Sequence, residues 1–380
     1  MSEDSSAAAR SHLRLVSLDI FRGATIAAMI LVNNAGNEPD SYWLLRHADW
    51  NGWTPADLIF PFFLFIVGAS MAFSFAARLE RGQSRLRLVK HVIQRGAILF
   101  ALGLFLNGFP NQYSLATLRV YGILQRIAIC YVSVALCALY FRRRAWLALA
   151  VALLIGYWVL LRYLPLPGLG VPGRDIPLLD PDRNIAAWLD RRLLAGHLFA
   201  GTRDPEGILS TIPAIVTALI GLLAGDRLHY SESKRAKTLQ LLIAGVVCMA
   251  AGKLWNLSFP INKNLWTSSF ALFTAGIALL CLAACYWIID VQNWRGPSTK
   301  FFLVFGTNAI AAYVFAEMAS LTLYHFSAAA GLSWQEVLYQ NGFEPWLSPA
   351  LASLLYSLCY VFFCWAVMWL LYRKRIFVKI

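Results

Sequence analysis

Long apolar runs recur along the whole chain, and they constrain the fold more than any other feature. A helix that crosses a bilayer needs about 20 mostly apolar residues, and by that measure the sequence predicts about ten such helices. They begin near Leu18, Ala56, Val92, Tyr121, Trp146, Gly207, Thr238, Ser268, Phe301 and Ala350. With 59% hydrophobic and 14% charged residues, the chain is too apolar for a soluble domain. We therefore predict an all-α, polytopic integral membrane protein.

The basic residues are concentrated in short segments between the apolar runs. These segments include "RLERGQSRLRLVK", "FRRRAW", "DRLHYSESKRAK" and "YRKRIFVKI", which fall on alternate turns of the path. Because Lys and Arg mark cytoplasmic loops in multi-pass proteins, we predict that these loops and both termini are cytoplasmic. Residues 1–14 are expected to form a flexible cytoplasmic arm. The net charge of +13 is assigned to membrane orientation, with anionic lipid rather than nucleic acid as the partner.

The intervening loops carry more Pro, Gly, Asn and Trp, and their charges are closer to balance. The longest of them, residues 162–206, contains the Pro/Gly-rich "LPLPGLGVPGRDIP" and then becomes amphipathic at "IAAWLDRRLLAGHLF". This pattern predicts an ordered external cap or a surface-lying helix, on the side opposite the cytoplasm. Neither a tandem repeat nor a compositional break divides the sequence, so we expect one domain over residues 1–380.

One loop on this outer side combines acidic groups with a histidine. In "LLRHADWNGWTPADLIFPFFLFIVG", His47 and Asp57 stand directly against an apolar run, and Asn33 ends the preceding run. An interfacial belt would account for the tryptophans, and "TP" suits a helix cap followed by a first helical turn. That interpretation leaves Asn33, His47 and Asp57 unexplained.

Polar side chains also interrupt several apolar runs, where each is costly and marks either a functional interior or internal pairing. Those singled out are Asp19, Arg22, Gln125, Arg126, Lys263, Asn308 and Glu317. They predict a polar track across the bilayer. A secondary transporter of amino sugars is the competing hypothesis, although the paired interrupted helices typical of transporters are not evident in the sequence.

Several long motifs carry a resemblance to a known family. In chain order they are "RLVSLDIFRGATIAAMILVNNAG", "RHADWNGWTPADLIFPFFLFIVGAS", "LQRIAICY", "PINKNLWTSSF", "GTNAIAAYVFAE" and "LLYRKRIFVKI". Together, from Arg14 to the last residue, they resemble the heparan-α-glucosaminide N-acetyltransferase family of transmembrane acetyltransferases. The sequence starts at the shared membrane core, without the luminal N-terminal domain of the animal enzymes, and looks like a bacterial inner-membrane member.

The resemblance implies that acetyl-CoA in the cytosol donates an acetyl group to the amine of a glucosamine-type sugar on the far side of the membrane. It also implies a homodimer, and no metal is called for. His47 falls where the family has its active-site histidine, and Asn33 where it has an asparagine near the acetyl group. An imidazole can act as a general base or carry the acetyl group itself, and both routes stay open.

We expect Asp57 to orient the His47 imidazole, and Asn33 and Lys263 to stabilise the thioester oxyanion. The residues expected to contact the donor acetyl-CoA are Arg22, Arg95, Gln125, Arg126 and Asn308. The residues expected to contact the acceptor sugar are Trp50, Asn51, Lys263, Asn264 and Trp266.

Overall fold

Helices form nearly all of the regular structure in the computed structural model, which describes residues 15–110, 113–230, 233–329 and 331–378. The expected flexible arm at residues 1–14 lies outside this range. The helices are α1 Val16–Asn33, α2 Ile59–Glu80, α3 Arg85–Gly108, α4 Ile123–Tyr140, α5 Arg143–Tyr163, α6 Ile185–Leu193, α7 Thr211–His229, α8 Lys234–Trp255, α9 Ser268–Tyr286, α10 Pro297–Thr307, α11 Ala309–His325, α12 Trp334–Gly342 and α13 Pro349–Arg373. A short hairpin pairs β1 Ser327–Ala329 with β2 Leu332–Ser333.

Most of these helices are long and apolar enough to cross a membrane. Within the described residues, nine pass that test, namely α1 to α5, α7 to α9 and α13. Helices α10 and α11 pass it as a pair that is bent by 80° at Asn308, which brings the total to as many as ten crossings. The predicted all-α polytopic fold with about ten spanning helices is confirmed.

The alternating direction of the helices gives the bundle two distinct ends. We call the end formed by residues 81–84, 141–142, 292–296 and 374–378 the basic end. We call the opposite end, formed by residues 34–58, 113–122, 164–210, 256–267 and 331–348, the His47 end. Every polar loop that the sequence analysis places outside the membrane lies at the His47 end.

Glycines allow the central helices to pack backbone against backbone. Helices α2 and α7 cross at Gly68 and Gly221, where an added methyl group would overlap the carbonyl oxygens of Ala218 and Phe65, respectively. Helices α1 and α10 cross in the same way at Gly23. Inside a bilayer, helix association depends on such close van der Waals contact because lipid tails are as apolar as leucine. The glycines therefore set how closely α2 approaches α7.

Residues 164–210 form an ordered cap over the His47 end. Turns closed by the bridges Leu166–Gly170 and Pro172–Ile176 lead into α6. The apolar side chains of the cap pack on the end of α5 and on the 256–267 loop. The indole Nε1 of Trp50 donates a hydrogen bond of 2.7 Å to the carbonyl oxygen of Leu179, which ties the cap to the segment carrying His47.

A glycine pair tests this packing directly. We expect Gly221→Ala to lower the free energy of unfolding by about 1–3 kcal/mol, since the added methyl group overlaps the backbone of α2. The matched control is Gly156→Ala on α5, where a Cβ meets nothing within 4 Å. It should match or exceed the parent, because alanine favours a helix over glycine by about 1 kcal/mol. Thermal unfolding in detergent measures both, and equal midpoints for the two variants would contradict the packing argument.

Candidate functional site

His47, Asp57 and Lys263 meet in one cluster at the His47 end. The imidazole Nδ1 lies 2.8 Å from Asp57 Oδ1, and Lys263 Nζ lies 3.3 Å from the same oxygen and 3.0 Å from Nδ1. The Asp57 side chain is 1% exposed, whereas that of His47 is 40% exposed. A buried carboxylate thus holds the inner edge of an imidazole whose outer edge faces the solvent-accessible side.

Local sequence explains why Asp57 is fixed in place. Thr54 to Asp57 form a capping box, in which Asp57 Oδ2 accepts a 2.9 Å hydrogen bond from the Thr54 backbone N–H. The same oxygen accepts a 3.1 Å bond from the Ala48 N–H. Pro55 occupies the first turn, as expected for a residue with no backbone N–H to satisfy. The predicted Thr-Pro helix start is correct, and it also orients the carboxylate.

Two loops far apart in sequence are joined beside this cluster. The Asn262 amide donates to the carbonyl oxygen of Trp50 at 3.0 Å and to Asn51 Oδ1 at 3.2 Å, and the Gly52 N–H donates to the carbonyl oxygen of Ile261 at 2.8 Å. These bonds bring Lys263, the residue that follows Asn262, against Asp57. Burial lowers the pKa of the Lys263 ammonium, and the Asp57 carboxylate opposes that shift.

The geometry assigns the tautomer of His47. We assign the proton to Nδ1, because a carboxylate can only accept a hydrogen bond and its 2.8 Å contact is shorter than the 3.0 Å contact of the Lys263 ammonium, which then donates to Asp57 Oδ1. In the neutral ring, Nε2 then carries a lone pair. A carboxylate behind Nδ1 and an Nε2 that makes no hydrogen bond to the described residues are the arrangement of a general base or a nucleophilic imidazole.

A cavity of about 650 Å³ enters the bundle from the basic end. Its cationic lining consists of Arg22, Arg78 and Arg95, with the His91 imidazole beside them. The described lining contains one carboxylate, that of Asp19, which accepts a 2.9 Å hydrogen bond from Arg22. This central cavity has the size of a small-molecule site and an excess of positive charge, so it suits a polyanionic ligand.

One face of α2 runs along the central cavity. The lining residues of this helix include Phe63, Val67, Ser70, Ser74 and Arg78, which repeat every three or four positions. Arg78 lies fifteen positions after Phe63, which corresponds to about 22 Å along an α-helix. The cavity therefore covers most of the thickness of a bilayer core.

The same face of α2 continues from the cavity towards Asp57. Phe60 lies one turn before Phe63, and its ring meets Trp266 edge-on at 5.1 Å between centroids. Asp57 lies about one turn earlier still. The inner end of the central cavity is thus about two helical turns from the His47 cluster, with an aromatic pair in the intervening turn.

The expected donor residues fall into two groups. Arg22 and Arg95 line the central cavity, with Arg95 near the middle of α3 and its guanidinium 4.9 Å from the centre of the Tyr131 ring. Gln125 and Arg126 are fully buried on α4, outside the described lining. Arg126 donates to the Ser210 hydroxyl and to the carbonyl oxygen of Pro205 at 2.8 Å, so it braces the cap.

Asn308 is also engaged by the protein itself. Its side chain is 1% exposed, donates to the carbonyl oxygen of Ile376 at 3.0 Å and accepts from the Val378 N–H at 2.9 Å. Asn33 at the end of α1 donates to Glu317 at 3.4 Å. Glu317, which the sequence analysis had placed only in a polar track, is thus a neighbour of the expected catalytic residue Asn33.

Of the residues expected to contact the acceptor sugar, some line a pocket and one is buried. Trp50 and Asn264 line a pocket of about 100 Å³ beneath the cap, together with Asp190 and Arg203. Trp266 is 1% exposed and donates from its indole to Thr217 at 3.2 Å, so its role in this structure is packing.

Sequence reasoning missed an ionic network that borders the site. Arg119 donates to Asp204 at 2.9 Å and forms an ion pair of 2.5 Å with Glu206. Glu206 also interacts electrostatically with Lys263, which links this network to the His47 cluster. The acidic "RDPEG" at the end of the cap was the available signal, but its arginine partner is 85 residues away.

Asp190 makes the cap sensitive to pH. Burial raises the pKa of this carboxyl from 3.8 to about 6, with Asp204 adding to the shift and a hydrogen bond from the Ile208 N–H opposing it. Because the folded state favours the protonated form, stability that is fully present below pH 3.8 is lost as the pH rises through about 6.

Asp190→Asn keeps an acceptor for Ile208 but cannot ionise. We expect its unfolding midpoint to rise relative to that of the parent as the pH goes from 3.8 to about 6, and the difference to stay constant above that range. Asp175→Asn is the control, since Arg174 lowers the pKa of the exposed Asp175 and its titration lies below this window. Thermal unfolding at several pH values checks both variants, and a pH-independent offset for Asp190→Asn would contradict the assignment.

Comparisons with known proteins agree with the motifs. The family model described as "Heparan-alpha-glucosaminide N-acetyltransferase, catalytic" matches residues 14–254. The Homo sapiens heparan-alpha-glucosaminide N-acetyltransferase is 32% identical over 424 residues, and the Mus musculus protein of that name is 31% identical over 425. Each match covers 97% of this chain and 60% of the relative, so the chain spans about three fifths of their length. The resemblance is confirmed, and this chain belongs to the heparan-α-glucosaminide N-acetyltransferase family.

Proposed function

We propose that this protein is a transmembrane acetyltransferase that moves the acetyl group of acetyl-CoA to the amine of a glucosamine-type sugar. The observation that carries the proposal is the continuous face of α2, which runs from the cationic central cavity to the Asp57–His47 pair. The names of the human and mouse relatives support the same reaction class and a glucosaminide acceptor. The basic end faces the bacterial cytoplasm in this proposal, because Lys and Arg mark cytoplasmic loops.

The two ends of acetyl-CoA match the two ends of the central cavity. Its phosphates are polyanionic and pair with guanidinium groups through charge-assisted hydrogen bonds. Its pantetheine arm is uncharged and slender, and the deeper lining includes Phe63, Leu124 and Ile127. The donor therefore lies with its nucleotide at the basic end and its thioester towards His47.

At the His47 end, the acceptor amine approaches from the exposed edge of the imidazole. In direct transfer, Nε2 of His47 accepts the proton that the amine nitrogen loses, while the new C–N bond forms and the C–S bond of the thioester breaks. In the stepwise route, Nε2 attacks the thioester carbonyl and the C–S bond breaks to release CoA as the thiolate. The amine then attacks the acetyl-imidazole, the bond between Nε2 and the acetyl carbon breaks, and the freed Nε2 takes the proton that the amine loses. In both routes Asp57 holds the ring and stabilises the positive charge that develops on it.

Lys263 acts on the carboxylate side of the ring. Its ammonium lies against Asp57 Oδ1 and Nδ1, which are on the opposite side of the imidazole from Nε2. We therefore assign Lys263 to positioning Asp57 rather than to the thioester oxyanion. Asn33, whose amide is exposed beside Glu317, retains the role of an oxyanion donor.

The decisive assay supplies acetyl-CoA to one face of reconstituted protein and glucosamine to the other. We expect His47→Ala to lower the transfer rate by about 10² to 10⁴, the range for loss of a general base. The control is His325→Ala, which removes an exposed histidine at the same end whose Nδ1 contacts only a backbone carbonyl among the described residues. Transfer by His47→Ala near the parent rate would sink the assignment.

The same preparation distinguishes the two routes and the competing function. Label retained on the protein after incubation with labelled acetyl-CoA alone supports the acetyl-imidazole, and product that forms only with both substrates supports direct transfer. Movement of unmodified glucosamine across the membrane without acetylation would favour the transporter hypothesis, for which the broken α10–α11 pair beside the cavity is the supporting feature.

Arg95 tests the donor end. The buried Nε of Arg95 has no hydrogen-bond partner among the described residues, so Arg95→Ala breaks no hydrogen bond at that atom. We expect a rise of about tenfold in the KM for acetyl-CoA, the effect of one charge-assisted hydrogen bond, with the KM for the sugar unchanged. Arg95→Lys should recover part of the loss. Arg235→Ala, at an exposed position of α8 outside the cavity, is the control, and an unchanged KM for acetyl-CoA in Arg95→Ala would move the nucleotide elsewhere.

A further inference from the structure

The last described residues of the chain fold back onto the central cavity. Helix α13 ends at Arg373, and Arg375 adopts the left-handed conformation with φ of 56°. The Ile376 N–H donates to the carbonyl oxygen of Leu371 at 2.9 Å, and the Arg375 N–H donates to that of Tyr372 at 3.0 Å. This pair of bonds is a Schellman motif, which reverses the chain at a helix end. Glycine is the usual residue there, so an arginine at this position costs free energy.

A buried amide holds the reversed chain in place. Asn308, at the break between α10 and α11, binds the Ile376 carbonyl and the Val378 N–H with the two ends of its side chain. Both groups belong to the residues that flank Phe377. The break between the two helices therefore holds the tail by hydrogen bonds on either side of an aromatic residue.

Phe377 and Val378 line the central cavity together with Arg22, Arg78 and Arg95. The Phe377 ring is 40% exposed and meets Tyr372 edge-on at 6.2 Å between centroids. An exposed aromatic ring beside guanidinium groups is the combination that binds nucleotides, because the ring stacks on the base while the cations pair with phosphate.

We propose that the clamped tail, residues 376–378, is the wall of the central cavity that binds the nucleotide half of acetyl-CoA, with Phe377 in contact with the nucleotide. This inference rests on the proposed function and extends it to Phe377, which lies outside residues 14–254 of the family-model match and was not among the expected donor residues. Asn308 is a positioning residue in this assignment, because its amide is occupied by the tail and acts on the donor through Phe377.

Two donors that share one acetyl group test the inference. Acetyl-CoA carries the nucleotide, and S-acetylpantetheine lacks it. We expect Phe377→Ala to raise the KM for acetyl-CoA by about tenfold, as for loss of one base–aromatic stack, with kcat within about twofold and the KM for S-acetylpantetheine unchanged. Phe377→Leu, which keeps apolar volume in the tail, should show most of the same effect.

Phe141→Ala is the matched control, since Phe141 is an exposed phenylalanine at the basic end outside the cavity lining. Asn308→Ala should raise the KM for acetyl-CoA in the same donor-selective way. Combined with Phe377→Ala it should add little, because the two residues act as one unit. An unchanged KM for acetyl-CoA in Phe377→Ala, or an equal rise for both donors, overturns the inference.

A test of CoA binding distinguishes failure of the tail assignment from failure of the proposed function. The binding of free CoA, which carries no acetyl group, needs neither an acceptor nor a transfer step. Calorimetry measures it on the parent and on Phe377→Ala. A parent that binds CoA but acetylates no amine would refute the acetyl transfer and leave the tail assignment standing. A parent that transfers acetyl groups, with equal CoA affinity in the variant, would refute the tail assignment alone.

Discussion

The site depends on one carboxylate that serves two purposes. Asp57 caps the first turn of the second spanning segment through Oδ2, and its Oδ1 meets His47 and Lys263. A buried carboxylate with unsatisfied oxygens would cost several kcal/mol, so the helix start, the imidazole and the lysine stabilise one another. The fold of the Thr54–Asp57 turn and the orientation of the candidate base His47 consequently depend on the same carboxylate.

Helix α2 connects this interaction to the opposite end of the bundle. Its cavity-facing residues repeat at helical spacing, so one rigid element fixes both the depth of the central cavity and the direction of the His47 cluster. Close contact with α7 at Gly68 and Gly221 leaves little freedom for α2 to shift. The proposed reaction, which would join substrates from two sides of a bilayer, needs such a fixed distance between its donor and its base.

The two ends of the bundle use charge differently. At the basic end, guanidinium groups face an open cavity, an arrangement that suits a polyanion arriving from solvent. At the His47 end, most of the charge is already paired, as in Arg119 with Asp204 and Glu206, and the cap packs over it. Paired charges stiffen the surroundings of the exposed imidazole, whereas the cationic cavity keeps its attraction for a ligand.

The sequence by itself determined the membrane class, the approximate number of crossings and the family, because hydropathy and long motifs are local properties. It also singled out His47 and Asp57, since the capping turn lies within one short stretch. Only the tertiary structure decided the partner of that pair: Lys263 is 216 positions from His47 and arrives through the bonds of Asn262. It also decided that Trp266 is buried and that Asn308 holds the tail, because packing between distant helices sets burial and hydrogen-bond partners, and no local pattern records it.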